Sequence, residues 1–156
     1  MSRRQEAFER LEEPQERGDA AEAIVTSELV ARGVSVLVPM YDNDPYDLVL
    51  NVENGYVRVQ VKTAYLTKPG VVCFETRSTR VKSDGYERES YDGKIDYFVV
   101  YSPPTDEIYV VHIDEASSSG MWIRFVEAKN NQRSRVNWHE EYVLDARLSE
   151  LLAFGG

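Results

Sequence analysis

Cysteine is almost missing from this chain: Cys73 is the only one in 156 residues. A single thiol closes no internal disulfide and builds no cysteine-rich zinc site. A thiol nucleophile wants a histidine beside it. The two histidines, His112 and His139, lie in no recognisable setting. Cys73 sits in the apolar run Val71-Val72-Cys73-Phe74 and reads as a packed strand residue. Two histidines also argue against a His-rich metal site. Long apolar runs are missing too, and the longest fall far short of a membrane span. The N-terminus, MSRRQEAFERLEE, carries no apolar stretch of signal-peptide type. The expectation is a cytoplasmic protein with no membrane partner.

Lysine is scarce. It occurs only at 62, 68, 82, 94 and 129, and arginine supplies the other thirteen of eighteen basic residues. Acidic residues number 27, so the formal net charge is -9. That balance opposes simple nucleic-acid binding, which rests on a positive footprint. It does suit a salt-rich cytoplasm, where a highly charged surface aids solubility. A local basic groove is still compatible with it.

What is present describes one folded unit. Hydrophobic residues make up 42% and charged residues 29%, the balance of a globular domain of this length. Residues 1–16 are charged and interrupted by Pro14; Phe8 and Leu11 could seat one turn of helix, and otherwise the segment is expected to be a flexible or frayed lead-in to a single domain over 17–156. Gly18-Asp19 is expected to open a helix, with Asp19 as N-cap and Glu22 three residues on, as in a capping box. Glu22, Val25, Leu29 and Gly33 then share one helical face, and Gly33 ends the helix. Strands are expected at Val34–Pro39, Asp47–Val52, Tyr56–Lys62, Val71–Arg77, Ile95–Tyr101, Ile108–Ile113 and Met121–Val126. Residues 78–94 read as loop with room for a short helix, and Trp138–Leu152 as helix. A helix, then many strands, then mixed elements points to an α/β fold bordering on α+β.

Asn54-Gly55 lies between two alternating runs, the strongest short hairpin signal. With those two as the turn, paired positions sum to 109. Asn51 then faces Arg58, Val49 faces Gln60, and Asp47 faces Lys62, with Gln60 diagonal to Asp47 on the same side. Leu48, Leu50, Val52, Val57, Val59 and Val61 point the other way. A carboxylate, an amide and an ammonium on one face admit two readings. One is a cross-strand Asp–Lys salt bridge on a solvated surface. The other is a metal site, with hard oxygens from Asp47, Gln60 and the Val61 carbonyl and Lys62 serving an attacking water. Glu22 likewise is either a cap partner or a carboxylate brought to the sheet.

The succession Gly18-Asp19-Ala20-Ala21-Glu22, then Pro45-Tyr46-Asp47, then Gln60-Val61-Lys62 resembles the PD-(D/E)xK nuclease superfamily. The match is to its Gln-x-Lys branch, which includes archaeal endonuclease-like and intron-homing endonuclease-like proteins. Gly33, Val36–Pro39, Tyr46–Val49, Val59–Thr63, Gly93–Tyr101 and Lys129-Asn130-Asn131-Gln132 extend it over most of residues 18–135. The resemblance implies a restriction-endonuclease-like mixed sheet flanked by helices. It implies Mg²⁺-dependent hydrolysis of DNA phosphodiesters, with Mn²⁺ as substitute, by a homodimer or homotetramer. Glu22, Asp47, Gln60 and Lys62 would be catalytic, and Glu22, Asp47, Gln60 and Val61 would hold metal. Tyr46 separates Pro45 from Asp47, and Gln60 replaces the usual acid, which removes one negative charge.

Other readings remain: a catalytically silent nucleic-acid- or protein-binding module, a Holliday-junction-resolvase-like nuclease, and a purely structural partner protein, which the acidic balance supports and which predicts no DNA binding even at low salt. Arg77, Arg80, Lys82, Lys129, Asn131, Gln132 and Arg133 are candidate DNA contacts, against a plain reading as solvated loop residues. Asp96 reads as structural or supporting. Tyr41, Tyr46, Tyr91 and Tyr97 read as core or rim aromatics rather than stacking platforms.

Overall fold

The computed structural model describes residues 1–127 and 136–155, without the side chains of 80–82. Its elements run α1 (Arg3–Glu9), α2 (Pro14–Ala31), β1 (Ser35–Leu37), β2 (Leu48–Val52), β3 (Gly55–Thr63), β4 (Tyr65–Lys68), β5 (Val71–Glu75), β6 (Arg77–Lys82), β7 (Gly85–Ser90), β8 (Tyr97–Ser102), β9 (Glu107–His112), β10 (Gly120–Arg124) and α3 (Leu144–Leu152). Five strands form a mixed sheet in the order β1-β2-β3-β8-β9. Among these strands β3 and β8 run parallel, and the other neighbours are antiparallel. A second, antiparallel sheet has the order β10-β5-β4, and β6 and β7 form a separate two-stranded ribbon.

Burial on both faces explains the layers. Every residue of β8, Tyr97–Ser102, is buried, as expected for a strand covered above and below. On one side Val57, Val59 and Val61 of β3 join Tyr97, Val99 and Tyr101 of β8 against Ala21, Val25 and Leu29 of α2. On the other side Phe98 and Val100 meet Val72, Phe74, Met121 and Ile123 of the second sheet. Helices, central sheet and small sheet are thus stacked in three layers.

Several local expectations are corrected. Helix α2 begins at Pro14, with Glu13 as N-cap, and not at Asp19. Proline is well placed at a first helical position, where its missing N–H costs nothing. Asp19 is interior and accepts a hydrogen bond from Gln15 Nε2 at 3.0 Å. Gly33 takes φ 81°, and the Gly33 and Val34 amides bond back to Val30 and Leu29, a glycine-terminated helix end.

The hairpin turn is Glu53-Asn54, because Val52 pairs with Gly55 and Leu48 with Val59. The paired positions therefore sum to 107, two fewer than expected. Gly55, not Asn54, absorbs the unusual backbone, at φ 147°. A shift by two preserves the side-chain period, so the apolar and polar faces of β3 are those the alternation indicates.

Residues 78–90 are not loop: Arg77–Lys82 and Gly85–Ser90 pair as the ribbon, and within the expected loop 83–84 and 92–94 are turn. Trp138–Leu152 is not one helix. A 3₁₀ turn at His139–Glu141 precedes α3. Between them the chain is pinned to β9, with the Val110 amide donating to the Tyr142 carbonyl at 2.7 Å.

Within residues 1–16, expected to be a loose lead-in, α1 is capped at Ser2, whose side chain accepts from the Gln5 amide. Arg4 binds Asp106 at 2.8 Å and Glu28 at 3.1 Å. Phe8 is 2% exposed and packs edge-on against Tyr101 at 5.3 Å. Removing that ring empties a closed part of the core. Phe8→Ala is expected to cost about 3–5 kcal/mol, roughly 6–20 °C in Tm for a chain of this size. Calorimetry beside Met40→Ala, a change at an exposed position, checks it. Equal Tm values for the two would mean that α1 does not hold the fold together.

Candidate active site

The site forms where β2 and β3 part. Their pairing ends at Leu48 and Val59, while β3 runs on to Thr63 along β8. At that fork the Asp47 amide donates to the Val59 carbonyl at 2.8 Å. The Asp47 carboxylate accepts from the Val61 amide at 3.0 Å. A side chain therefore replaces the next ladder bond. The N–H and C=O of one strand residue face the same edge, so the Val61 carbonyl also opens toward Asp47. It accepts from the Gln60 side-chain amide, Nε2 at 3.2 Å.

Helix α2 supplies the opposite wall. Ala21, Val25 and Leu29 are its buried stripe, and Glu22 stands half-buried beside it. Ala21, not Glu22, heads that stripe. The capping explanation of Glu22 falls away, because the helix starts at Pro14, eight residues before Glu22. Glu22, Asp47, Gln60 and Val61 line one depression of about 240 Å³ with Gln15, Asp19 and Thr63. A neighbouring one of about 500 Å³ leads from Asp47 and Gln60 past Tyr91 to Ser78 and Thr79 of the ribbon.

Lys62 is near but is not paired with Asp47, and the cross-strand salt bridge expected from the register does not form. The observed pairing stops at Leu48 and Val59, so Asp47 has no cross-strand pair on β3. The Lys62 ammonium lies 4.9 Å from the centre of the Tyr91 ring and 3.4 Å from the Arg77 carbonyl.

Electrostatics single out the two carboxylates. Burial holds the Asp47 carboxyl above its ordinary range, against the Val61 N–H and the Lys62 charge, which pull it down. Burial also raises Glu22, and the nearby Asp47, Asp19 and Asp42 raise it further. Burial lowers Lys62, opposed by Glu75 and Asp47. Burial with Asp47 and Glu75 pushes Tyr91 up to about 12. Two partly desolvated carboxylates in each other's field store unfavourable charge.

Among the described residues no three His, Cys, Asp or Glu side chains converge as a metal cluster. The donor set that does converge is Glu22, Asp47, the Gln60 amide and the Val61 carbonyl. All can offer oxygen, which fits a hard divalent ion that keeps several waters. The amide donates Nε2 toward the Val61 carbonyl here. Turning it over would place two oxygens together, an arrangement that a cation makes favourable.

The other candidates are placed as follows. The Arg77 side chain turns away and donates from Nε to the Ser118 carbonyl at 2.6 Å. The side chains of Arg80 and Lys82 lie outside the described residues, as do Lys129, Asn131, Gln132 and Arg133 altogether. Asp96 is a brace, since its carboxylate accepts from the Arg58 amide and guanidinium. Sequence reasoning missed Tyr91 and the Arg77 carbonyl as neighbours of Lys62, because no motif marks either.

A model of the PD-(D/E)XK endonuclease family matches residues 12–145. The chain belongs to that family. Its fork, helix glutamate and Gln-x-Lys strand are thus read within a family of nucleases. The solved structure of a bacterial homing endonuclease, I-Ssp6803I, is similar with a TM-score of 0.69 and 26% identity, covering 90% of this chain and 97% of that one. The five-stranded mixed sheet, covered by helices on one face and by the small sheet on the other rather than flanked by helices, is accordingly the restriction-endonuclease-like architecture. The comparison with curated proteins finds no match.

Proposed function

We propose that this PD-(D/E)XK endonuclease cuts DNA with the help of a divalent metal ion, Mg²⁺ or Mn²⁺. The observation that carries the reading is the pair Glu22 and Asp47, two carboxylates raised by burial, facing one depression beside the Val61 carbonyl. Glu22, Asp47, the Gln60 side-chain oxygen and the Val61 carbonyl would hold the ion. When bound, such an ion polarises a phosphodiester and lowers the pKa of its water.

The chain's own residues divide the remaining work. Asp47, locked by the Val61 amide, fixes one ligand direction. Lys62, one residue beyond Val61, orients the attacking water and steadies charge on the phosphate. Arg80 and Lys82, on the ribbon whose Ser78 and Thr79 line the groove, and Lys129, Asn131, Gln132 and Arg133 would serve as DNA contacts, whereas Arg77 would first have to release the Ser118 carbonyl. Cutting both strands of a duplex takes two such sites, which a homodimer or homotetramer supplies. A second reading, a silent binding module, draws on Gln60, whose neutral amide leaves the site one charge short.

The test is cleavage of labelled duplex and four-way-junction DNA with Mg²⁺, Mn²⁺ or EDTA, at low and high salt. Cutting with metal and none with EDTA is expected, and the preferred substrate separates a duplex endonuclease from a junction resolvase. No cutting under any condition, with the fold intact, would leave the silent module.

A further inference from the structure

The geometry points to Tyr91 as the positioning residue of Lys62, holding its ammonium over the ring face so that Asp47 and Lys62 stay unpaired. This rests on the nuclease reading above.

Lys62 has a carboxylate on its own polar face of the hairpin, yet its ammonium contacts a ring centre at 4.9 Å and a carbonyl at 3.4 Å. The ring is held on several sides. Tyr91 is 5% exposed. It stands edge-on to Phe98 at 5.5 Å, and Phe98 in turn meets Phe74 at 5.5 Å. Phe98 is the β8 partner of Gln60, so the aromatic stack lies directly under the site. The Tyr91 main chain is anchored by the Lys94 and Ile95 amides, which donate to its carbonyl at 2.9 and 3.3 Å. The same ring lines the depression that contains Asp47 and Gln60.

The consequence is chemical. An ammonium paired with Asp47 would neutralise a carboxylate needed for a cation and would tie up its own N–H donors. A ring face attracts the charge without accepting a proton or saturating those donors. Asp47 is then free for the ion, and Lys62 is free for water and phosphate. A merely structural Tyr91 would fill the core and nothing more.

Four variants decide between these: Tyr91→Phe, Tyr91→Leu, Lys62→Met, and Tyr91→Leu with Lys62→Met, all assayed well below their Tm values. Tyr91→Leu should lower kcat about tenfold or more with KM for DNA nearly unchanged, and Tyr91→Phe, which keeps the π face, should restore the rate. In the Lys62→Met background, Tyr91→Leu should add almost nothing to the loss of rate, since coupled residues fail to add. An NMR readout needs no activity. The Lys62 ε-methylene protons should lie upfield under the ring current in the unmodified chain and in Tyr91→Phe, and return to ordinary positions in Tyr91→Leu. An unshifted Lys62 signal, or full kcat in Tyr91→Leu, overturns the proposal. Failure of the unmodified chain to cut any DNA overturns the nuclease reading and this proposal with it. Active unmodified chain with unaffected Tyr91→Leu overturns this proposal alone.

Discussion

Lys62→Ala is expected to slow DNA cleavage by about 10²–10⁴-fold, the usual scale of one positioned proton-transfer or charge-stabilising group, while leaving the chain folded. The ammonium is not the keystone of an ion pair. It rests on a ring and a carbonyl, and burial lowers its pKa from the ordinary 10.5. The sign of the stability effect follows. The unfolded chain binds this proton more readily than the folded one, so the charge opposes folding below the folded pKa. That cost fades as pH rises from the folded pKa toward the unfolded value. Lys62→Met, which keeps an unbranched stem, should therefore gain on the unmodified chain at neutral pH and lose that advantage in strong base. Denaturant midpoints at the two pH values measure it. Single-turnover cleavage by Lys62→Ala at the unmodified rate would remove Lys62 from the mechanism.

The polar face of β3 is legible in the sequence alone, because alternation is a strict period of two and Val57, Val59 and Val61 can face only one way. The register is not. Asn-Gly suggests its own two residues as the turn, whereas Glu53-Asn54 turns the chain and Gly55 takes the backbone distortion at φ 147°. An even slip keeps Asp47, Gln60 and Lys62 on one face, but it changes partners. The pairing stops at Leu48 and Val59, just short of Asp47, and the salt bridge expected with Lys62 does not form. The ribbon is illegible for a related reason. Arg77–Lys82 and Gly85–Ser90 carry polar residues on nearly every position, so no apolar period separates strand from loop. Its Ser83-Asp84-Gly85 turn repeats the Glu53-Asn54-Gly55 pattern, with Gly85 at φ 134°, and that repetition is the signal that could have found it.

The start of helix α2 follows a local logic that tertiary structure overrides. Asp19 and Glu22 have the spacing of a capping box, but Pro14 suits a first helical position as well. The longer helix wins because Arg17 can then donate to the Phe8 and Leu11 carbonyls and lie 4.5 Å over the Phe8 ring. These contacts tie α1 to α2. The extra turns carry Gln15, Gly18 and Asp19 to the rim of the depression that holds Glu22 and Asp47. The order Glu, Asp, Gln-x-Lys is readable as a pattern. The fork that makes the Val61 carbonyl available depends on where the pairing of β2 and β3 stops, which a one-dimensional pattern does not record.

Asp47→Asn separates the fold role of this residue from its proposed chemical one. The substitution keeps the shape and an oxygen that can accept from the Val61 amide, now 3.0 Å from the carboxylate, and removes only the charge. Metal-stimulated cleavage should fall by on the order of 10²–10³-fold or more. Stability should move oppositely with and without metal. Burial raises the Asp47 carboxyl above its ordinary 3.8, so the folded chain binds this proton more tightly than the unfolded chain. Folding is then favoured at low pH, and that advantage is lost as pH rises from the unfolded value through the folded one. At neutral pH the unmodified chain carries the cost, and Asp47→Asn should unfold at a higher temperature in EDTA. Glu22→Gln should shift the same way, because its carboxyl is raised by burial and by Asp47. A divalent ion supplies at neutral pH the positive charge that protons supply in acid. At a hundredfold excess over Kd it should stabilise the unmodified chain by about 2.7 kcal/mol, roughly 5–10 °C, and should leave Asp47→Asn almost unmoved. Thermal unfolding of both proteins across a Mg²⁺ or Mn²⁺ titration gives the answer. Equal metal-induced shifts in the two would place the ion elsewhere, whereas a shift confined to the unmodified chain would tie the metal to the fork between β2 and β3.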